Sequence, residues 1–281
     1  MEEEEDLILG KTHKLKINRF VDFGCYVDGK NLGEILVPKR YIPAGKQEDD
    51  IIEVFVHTDS EDRIIATDEK PYIEVGEFAS LKVLAVNQFG AFMDWGLMKD
   101  LFVPFIEQQT KMDVDRMYVV FAYVDSASDR IAASSRLEQF MALGPANYEL
   151  GEEVDIIVTS KTDLGYKVIV NQEHWGLIYT NQVFENIKIG DKRKAFIQKM
   201  RDDDKIDISI RKSGFEHIDD VSRIILDELR EDEFIGLHDK SGPDEIKKRF
   251  GISKKAFKKA IGGLYKQKLI AIEDNGIRII L

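Results

Sequence analysis

The chain has 281 residues, of which 43% are hydrophobic and 33% are charged, and its net charge is −12. This composition is typical of a globular protein of several domains, and it excludes a mainly disordered chain. The longest apolar runs, such as that from Val119 to Val124, fall well short of the roughly 20 residues that a membrane-spanning helix needs, so we expect no membrane contact.

The N-terminus and the cysteine content indicate the compartment. The chain starts Met1-Glu2-Glu3-Glu4-Glu5-Asp6, whereas a secretory signal starts with basic residues. Cys25 is the only cysteine and cannot form an intramolecular disulfide, which fits a reducing environment. We therefore expect a cytoplasmic protein.

A repeat of about 70 residues organises most of the chain. Gly10, Gly24 and Pro38 recur 66 residues later, and the two glycines recur again after a further 75 residues. The matching positions are Gly76, Gly90, Pro104, Gly151 and Gly165. Propeller blades and helical repeats are shorter, roughly 33 to 50 residues, so the spacing predicts three copies of a small domain.

Each copy contains short segments rich in Val, Phe, Tyr and Ile, separated by turn residues. In the second copy they are Ala79–Asn87, Phe89–Asp94, Asp100–Pro104, Tyr118–Asp125 and Arg130–Ser134. In the third they are Glu153–Thr162, Tyr166–Asn171, His174–Tyr179, Lys192–Met200 and Ile206–Ile210. Five strands in a unit of this size predict an OB barrel, whose strands 2 and 3 offer a face to oligonucleotides. We expect the chain to bend sharply at Phe89-Gly90, between the first two strands. A glycine suits this bend because it permits a φ or a close approach that a Cβ would block.

Several motifs in these copies resemble the ribosomal-protein-S1-type RNA-binding domain. They are Gly10-Lys11 with Phe23-Gly24-Cys25-Tyr26-Val27, Gly76-Glu77 with Phe89-Gly90-Ala91-Phe92-Met93, the ending Asp129 to Arg136, and the ending Asp204 to Lys212. The resemblance implies base-stacking aromatic residues at Phe89 and Phe92, and at Phe23 and Tyr26 in the first copy. The alternative is that these rings pack the barrel.

The third copy departs from this pattern. Leu164 and Lys167 stand at the aromatic positions, so Tyr166 and Tyr179 would have to substitute for them. All three copies also lack the histidine that the S1-type family often carries after strand 3. The binding face is therefore expected to be unevenly divided among the barrels.

Three arginines match basic positions near the fifth strand. Arg130, Arg136 and Arg211 are candidates for contacts with a phosphate or for stacking on a base. The alternative for each is an ordinary solvated charge at a strand end. Arg63 in the first copy is a weaker candidate because Asp68-Glu69 follows it.

The C-terminal segment has the opposite charge from the rest of the chain. From Asp244 to Lys268 it holds nine basic and two acidic residues. We predict a helix from Asp244 to Phe250, entered through Ser241-Gly242-Pro243, and a second from Lys254 to Gln267 with Ser253 as its N-cap. On the second helix Phe257, Ile261 and Leu264 form an apolar stripe. Lysines occupy the opposite arc: Lys254, Lys255, Lys258, Lys259 and Lys266.

An earlier helix and a hairpin complete this region. The helix is predicted at about Ile218 to Arg230, and the hairpin strands at Leu269–Ile272 and Gly276–Ile280. Together they predict a winged helix-turn-helix whose lysine face contacts phosphates. The alternatives are a protein-docking surface and a merely solvated face.

The predicted architecture is mainly β with a C-terminal α+β module: three tandem five-stranded S1-type OB barrels and a winged helix-turn-helix. The domains are predicted at 1–70, 71–143, 144–213 and 214–281, with connectors near Lys70-Pro71, Leu143-Gly144-Pro145 and Ser213-Gly214. This domain order resembles the conserved virulence factor B family of bacterial RNA-binding regulators. The resemblance implies a role in gene expression.

Catalysis is not predicted. The five histidines, His13, His57, His174, His217 and His238, show no paired metal spacing, and there is no nucleophile elbow, P-loop or dinucleotide-binding glycine motif. Carboxylates distant in sequence could still meet in the fold, which leaves a nuclease as a minor alternative. We expect a non-enzyme without a cofactor or a metal.

The resulting hypothesis is a monomeric protein that binds single-stranded RNA and regulates gene expression after transcription. We expect little sequence preference beyond a leaning toward pyrimidine-rich, unstructured RNA. Duplex nucleic acid is a second expected ligand, through the winged helix. The alternatives are a winged-helix transcription regulator, which would predict a dimer, and a protein-interaction adapter with degenerate barrels.

Overall fold

Three closed barrels and a winged-helix domain follow one another along the chain in the computed structural model. The structure describes residues 6–144, 146–183, 186–201, 205–211, 220–266 and 269–280. The predicted fold class is confirmed, whereas the Ser213-Gly214 connector and the predicted helix ends at Ile218 and Gln267 lie outside these residues. Within the described residues, every helix is too short or too polar to cross a membrane.

Each barrel consists of five strands in the same arrangement. The first contains β1 (Thr12–Val21), β2 (Gly24–Asp28), β3 (Glu34–Pro38), β4 (Ile51–Thr58) and β5 (Ile64–Thr67). The second contains β6 (Phe78–Val86), β7 (Gly90–Asp94), β8 (Leu101–Pro104), β9 (Met117–Asp125) and β10 (Arg130–Ser134). The third contains β11 (Glu153–Lys161), β12 (Gly165–Val170), β13 (His174–Tyr179), β14 (Lys192–Met200) and β15 (Ile206–Ser209). The first strand pairs with both the second and the fourth, and the third runs parallel to the fifth, which closes the sheet.

The first strand of every barrel contains a β-bulge at the same place in the repeat. The register shifts between Ile17 and Arg19 in β1, and at the equivalent points of β6 and β11. A bulge bends a strand and increases its twist, which lets one strand pair with two neighbours around a closed barrel. The 66- and 75-residue spacings therefore reflect backbone geometry as well as sequence.

The glycine that begins the second strand is required by a close approach of the neighbouring strand. A Cβ at Gly24 would lie 2.2 Å from the carbonyl oxygen of Val37, and one at Gly90 would lie 2.2 Å from that of Val103. At Gly165 the corresponding distance is 1.9 Å. Of the two roles expected for this glycine, the close approach is the one that the structure shows.

Adjacent barrels pack directly against each other. Phe55 points out of the first barrel and is buried in the core of the second, edge-on to Trp95 with ring centroids 5.7 Å apart. At the next junction Phe78 is fully buried, and its backbone N–H donates to Gln172 Oε1 of the third barrel at 2.6 Å. The barrels are therefore held by apolar contacts as well as by the chain that connects them.

The winged-helix domain has a compact core of its own. Its elements are α1 (Asp220–Asp232), β16 (Phe234–Ile235), α2 (Pro243–Phe250), α3 (Lys254–Lys266), β17 (Ile270–Glu273) and β18 (Gly276–Ile279). The predicted N-cap is confirmed, since the backbone N–H of Ala256 donates to Ser253 Oγ at 3.2 Å. The apolar stripe of α3 is buried in the core as predicted. Strand β16 was not predicted, because two residues carry no periodic pattern.

Candidate nucleic-acid interface

Two aromatic rings lie side by side on the outer face of the second barrel. Phe92 on β7 is directly opposite Phe102 on β8, and their ring centroids are 5.1 Å apart. Their chain neighbours Met93 and Leu101 point inward and are buried, because side chains alternate across a strand. Both rings are therefore half-buried on the outside of the barrel, where they can stack on a base.

These rings line a cleft of about 870 Å³, to which both the first and the second barrel contribute. Phe89 lies at its edge with 65% of its surface exposed. The Asn87 Oδ1 atom accepts hydrogen bonds from the backbone N–H groups of Phe89 and Gly90, at 2.8 and 3.2 Å, and so fixes the bend. Tyr123 of β9 is a fourth aromatic residue in the lining. The structure thus brings the two predicted aromatic residues of this copy, Phe89 and Phe92, into one cleft.

The charged lining of this aromatic cleft is mixed. Two cations, Lys99 and Arg130, are accompanied by four carboxylates, Asp62, Asp100, Glu107 and Asp125. Burial, reinforced by Asp94, raises the pKa of Asp100. Burial, reinforced by Glu107 and Asp125, raises the pKa of Tyr123 to about 12. The cleft therefore offers rings and hydrogen-bonding groups rather than a strong positive potential.

Both cations of the cleft bind to the first barrel. The Arg130 guanidinium forms an ion pair with Asp62 in the loop between β4 and β5. The ammonium group of Lys99 donates to the backbone carbonyl of Asp59 at 2.7 Å and to Thr58 Oγ1 at 3.2 Å, and lies 3.4 Å from Asp62 Oδ1. Arg130, which was predicted to contact a phosphate, is thus paired with a carboxylate of another domain.

The corresponding face of the first barrel is less open. Phe23 is 59% exposed, whereas Tyr26 is half-buried with the Arg19 guanidinium 4.2 Å from its ring centroid. Arg19 in turn forms an ion pair with Glu34 at 2.7 Å. Leu36 lies opposite Tyr26, at the position that Phe102 has in the second barrel. This face therefore has one free aromatic residue, and a second that is covered by a cation.

His57 of the first barrel is buried at the junction with the second barrel. It occupies the position that corresponds to Tyr123, but it is buried at the junction, stacked on Phe55 with ring centroids 5.8 Å apart. Burial is the main cause that lowers the pKa of His57 to about 4, and the nearby Lys99 ammonium lowers it further. At neutral pH this ring is uncharged and is part of the packing between the barrels.

The equivalent face of the third barrel is turned toward the second barrel. Lys167, at the position of Phe92, forms an ion pair with Glu138 at 2.9 Å and lies 3.6 Å from the centroid of the Trp175 ring. Ile169, next on the same side of β12, packs into an apolar cluster with Phe78 of the second barrel. The sequence departure in this copy therefore coincides with a different use of the face, as an interface between barrels.

The two tyrosines considered as substitutes lie elsewhere on the third barrel. Tyr166 packs partly against the barrel's own core, with Lys161 Nζ 5.8 Å from its ring centroid. The Tyr179 hydroxyl donates to Asp207 Oδ1 at 3.4 Å, and Arg201 lies 5.7 Å from its ring. Neither residue lines the aromatic cleft of the second barrel. RNA contact by these tyrosines stays a prediction.

The remaining predicted arginines are exposed and lie outside the aromatic cleft. Arg136 follows β10, and its Nε donates to the backbone carbonyl of Ile106 at 2.7 Å. Because Ile106 lines the cleft, Arg136 lies at its border. Arg211 follows β15, where its backbone N–H donates to Ser209 Oγ at 3.1 Å. The structure brings Arg130 into the cleft, Arg136 near it, and Arg211 to a different barrel.

The predicted lysines of the winged helix line up on one side of α3. Lys254 donates to the backbone carbonyl of Lys240 at 3.3 Å, and Lys258 lies 4.0 Å from Asp239. Within the described part of the chain, the other three have no carboxylate within ion-pair distance: Lys255, Lys259 and Lys266. They are exposed and are available to phosphates.

Sequence reasoning missed part of this site. Phe102 and Tyr123 were within predicted strands but were not identified as site residues, although alternation from Leu101 and Val124 places both rings outside the barrel. Lys99 and Asp62 gave no signal, because their roles depend on contact between two domains. No strand pattern within one repeat reports such a contact.

Comparison with known proteins agrees with this architecture. An S1 domain model matches residues 9–68 and 75–135, and a CvfB-like winged helix domain model matches residues 223–279. The third barrel is visible in the structure, whereas the matches to the S1 model cover the first two only. The chain thus contains domain types that bind nucleic acids.

Full-length relatives are similar along most of the chain. The uncharacterized protein YitL of Bacillus subtilis is 27% identical over 280 residues, which cover 95% of this chain and 92% of that protein. Conserved virulence factor B of Staphylococcus aureus is 26% identical, with 83% and 82% covered. A solved multidomain protein with nucleic acid binding domains from Streptococcus pneumoniae is 26% identical, with 97% and 98% covered and a TM-score of 0.48.

Proposed function

We propose that this chain, which is similar to proteins of the conserved virulence factor B family along most of its length, is a non-catalytic protein that binds single-stranded RNA. In this proposal it regulates gene expression after transcription. The observation that carries the proposal is the aromatic cleft, in which Phe89, Phe92 and Phe102 offer rings to unpaired bases. Bases in a duplex are already stacked on each other, so such rings favour single strands.

The electrostatic part of binding is assigned to the winged helix. The cleft itself has more carboxylates than cations, whereas Lys255, Lys259 and Lys266 are exposed on one helix. Linking a base-stacking site to a phosphate-binding site in one chain raises the effective local concentration of each for a long RNA. Modest sites therefore combine into useful affinity.

The test is a titration of labelled single-stranded RNA, single-stranded DNA and duplex DNA at several salt concentrations. The proposal predicts tighter binding of the single strands than of the duplex, with a measurable dependence on salt. Preference for the duplex would instead favour a winged-helix transcription regulator, for which the lysine side of α3 is the supporting observation. Absence of binding to all three ligands would favour the protein-interaction adapter.

A further inference from the structure

A short acidic loop of the first barrel forms ion pairs with three cationic side chains. We call residues 59–62, Asp59-Ser60-Glu61-Asp62, the acidic loop; it joins β4 to β5. Asp59 and Glu61 bind the Arg63 guanidinium at 2.6 and 3.0 Å. Asp62 binds Arg130 and also lies 3.4 Å from Lys99 of the second barrel. One loop therefore reaches both cations of the aromatic cleft, together with an arginine of its own barrel.

The two arginines occupy the same position in successive barrels. Arg63 lies two residues before Ile65, which pairs with Leu36, and Arg130 lies two residues before Ala132, which pairs with Phe102. Leu36 and Phe102 are themselves equivalent in the repeat. The acidic loop thus neutralises the arginine near strand 5 in both the first and the second barrel. A phosphate contact was predicted for the arginine at this position in the second barrel.

The loop is held in a defined conformation. Asp59 Oδ1 accepts hydrogen bonds from the backbone N–H groups of Glu61 and Arg63, at 2.9 and 3.0 Å. Asp62 has a φ of 61°, a left-handed conformation that Asp tolerates better than most residues. The carboxylate of Asp62 is therefore kept at the cleft by the turn itself as well as by Arg130.

The ion pair is weak enough to be exchanged. The side chains of Arg130 and Asp62 are 58% and 39% exposed, and ion pairs that are this exposed to water contribute little to stability. A phosphate of a bound strand presents the same charge-assisted acceptor to a guanidinium as a carboxylate does. Binding a phosphate at Arg130 then requires that Asp62 be displaced.

We propose that the acidic loop is an intramolecular competitor for phosphate at the aromatic cleft, and that Asp62 determines how much of the cleft's affinity comes from the nucleic-acid backbone. This inference rests on the proposed RNA binding. Its consequence is selectivity: a strand that stacks bases on the rings keeps most of its affinity, whereas a ligand that offers only phosphates gains little.

The test compares two matched substitutions in the full chain, Asp62→Asn and Asp115→Asn. Asp115 also has a left-handed φ, of 67°, and also forms an exposed ion pair, with Lys82 at 2.7 Å, but it does not line the cleft. Asn keeps the left-handed backbone in both cases. Asp62→Asn is expected to tighten binding of a labelled oligouridylate of 12 nucleotides by about two- to fivefold. It should also steepen the salt dependence by about 0.7 in the log–log slope. Asp115→Asn is expected to do neither.

Two further variants distinguish the role of Asp62 from RNA binding at the cleft itself. In a background that carries both Arg130→Ala and Lys99→Ala, Asp62→Asn should give no gain, because both cations that Asp62 contacts are gone. Equal affinity of the two Asn variants, or a gain that persists without these two cations, would overturn the competitor role. Phe92→Ala tests RNA binding at the cleft separately: unchanged affinity there contradicts the proposed function, whereas a loss there together with equal Asn variants contradicts only the role of Asp62.

Discussion

Phe55 and Phe121 occupy the same position on the fourth strand of successive barrels, and each packs into the apolar cluster at the junction with the next barrel. Phe55 is 1% exposed against Trp95, and Phe121 stacks on Phe140 with ring centroids 4.2 Å apart, within the cluster that joins the second and third barrels. Phe196 is the equivalent residue of the third barrel and is half-buried. The repeat therefore encodes the junctions between barrels as well as the barrels.

The first prediction concerns the junction of the first two barrels. Phe55→Ala is expected to lower the free energy of unfolding by about 3–5 kcal/mol, because it removes a fully buried ring and leaves a cavity. Chemical denaturation, followed by fluorescence of the nearby Trp95, measures the loss. Phe20→Ala is the control: Phe20 is 41% exposed on β1, and its removal is expected to change stability by about 0.5 kcal/mol or less. A similar loss of stability in the two variants would show that Phe55 does not stabilise the junction between the barrels.

The second prediction concerns pH. The pKa of His57 is lowered from 6.5 to about 4 by burial, so the unfolded chain binds a proton at higher pH than the folded chain does. The contribution of His57 to stability is therefore fully present above pH 6.5 and is lost as the pH falls toward 4, to a total of about 3 kcal/mol. Denaturation at pH 7 and at pH 4.5 measures this loss.

A variant isolates the contribution of His57 from that of the carboxylates, which also titrate in this range. His57→Phe keeps a ring against Phe55 but removes the titrating group. The stability of this variant should fall less between pH 7 and pH 4.5 than that of the unchanged protein. Identical pH dependence of the two proteins would show that His57 does not titrate at the junction.

The third prediction tests stacking in the aromatic cleft. Phe92→Ala or Phe102→Ala is expected to weaken binding of single-stranded RNA about tenfold, since stacking on one ring contributes about 1–3 kcal/mol per base. Fluorescence anisotropy with a labelled oligonucleotide measures the change, and circular dichroism confirms that the barrels remain folded. Phe20→Ala serves again as a control, because Phe20 lies outside the cleft lining. If the variants and the control bind RNA with equal affinity, RNA binds outside the aromatic cleft.

The fourth prediction concerns the lysines of α3. Replacement of Lys255, Lys259 and Lys266 by Ala is expected to reduce the slope of log affinity against log salt by about 2, which corresponds to three phosphate contacts on a single strand. A matched triple variant uses exposed lysines of the barrels: Lys14, Lys111 and Lys188. If both triple variants change the slope equally, general charge rather than this helix is responsible.

Much of the architecture was predictable from local patterns. Alternating side chains and turn residues gave the five strands of the second barrel to within one or two residues at each end, including β10 from Arg130 to Ser134. The winged helix followed from the cap at Ser253 and the apolar stripe of α3, both of which are confirmed. These features depend on residues close together in sequence, where periodicity reports the local conformation.

The site was predictable only in part. Phe89 and Phe92 were identified through a resemblance, and the structure places both in one cleft. The choice of Tyr166 and Tyr179 had no such support, because the sequence does not show that the outer face of the third barrel packs on the second. Lys167 is explained by Glu138, a residue of a different domain.

By itself the sequence determined three barrels, their glycine-dependent closure and a basic winged helix, since each depends on a repeated pattern within one domain. Only the tertiary structure decided which faces remain open, and that the cations of the aromatic cleft bind the acidic loop. The reason is physical: a period of two residues distinguishes the inside of a barrel from its outside, but it does not distinguish an outside that meets water from one that meets another domain. The partner of Arg130 is 68 residues away in sequence, so no local pattern specifies it.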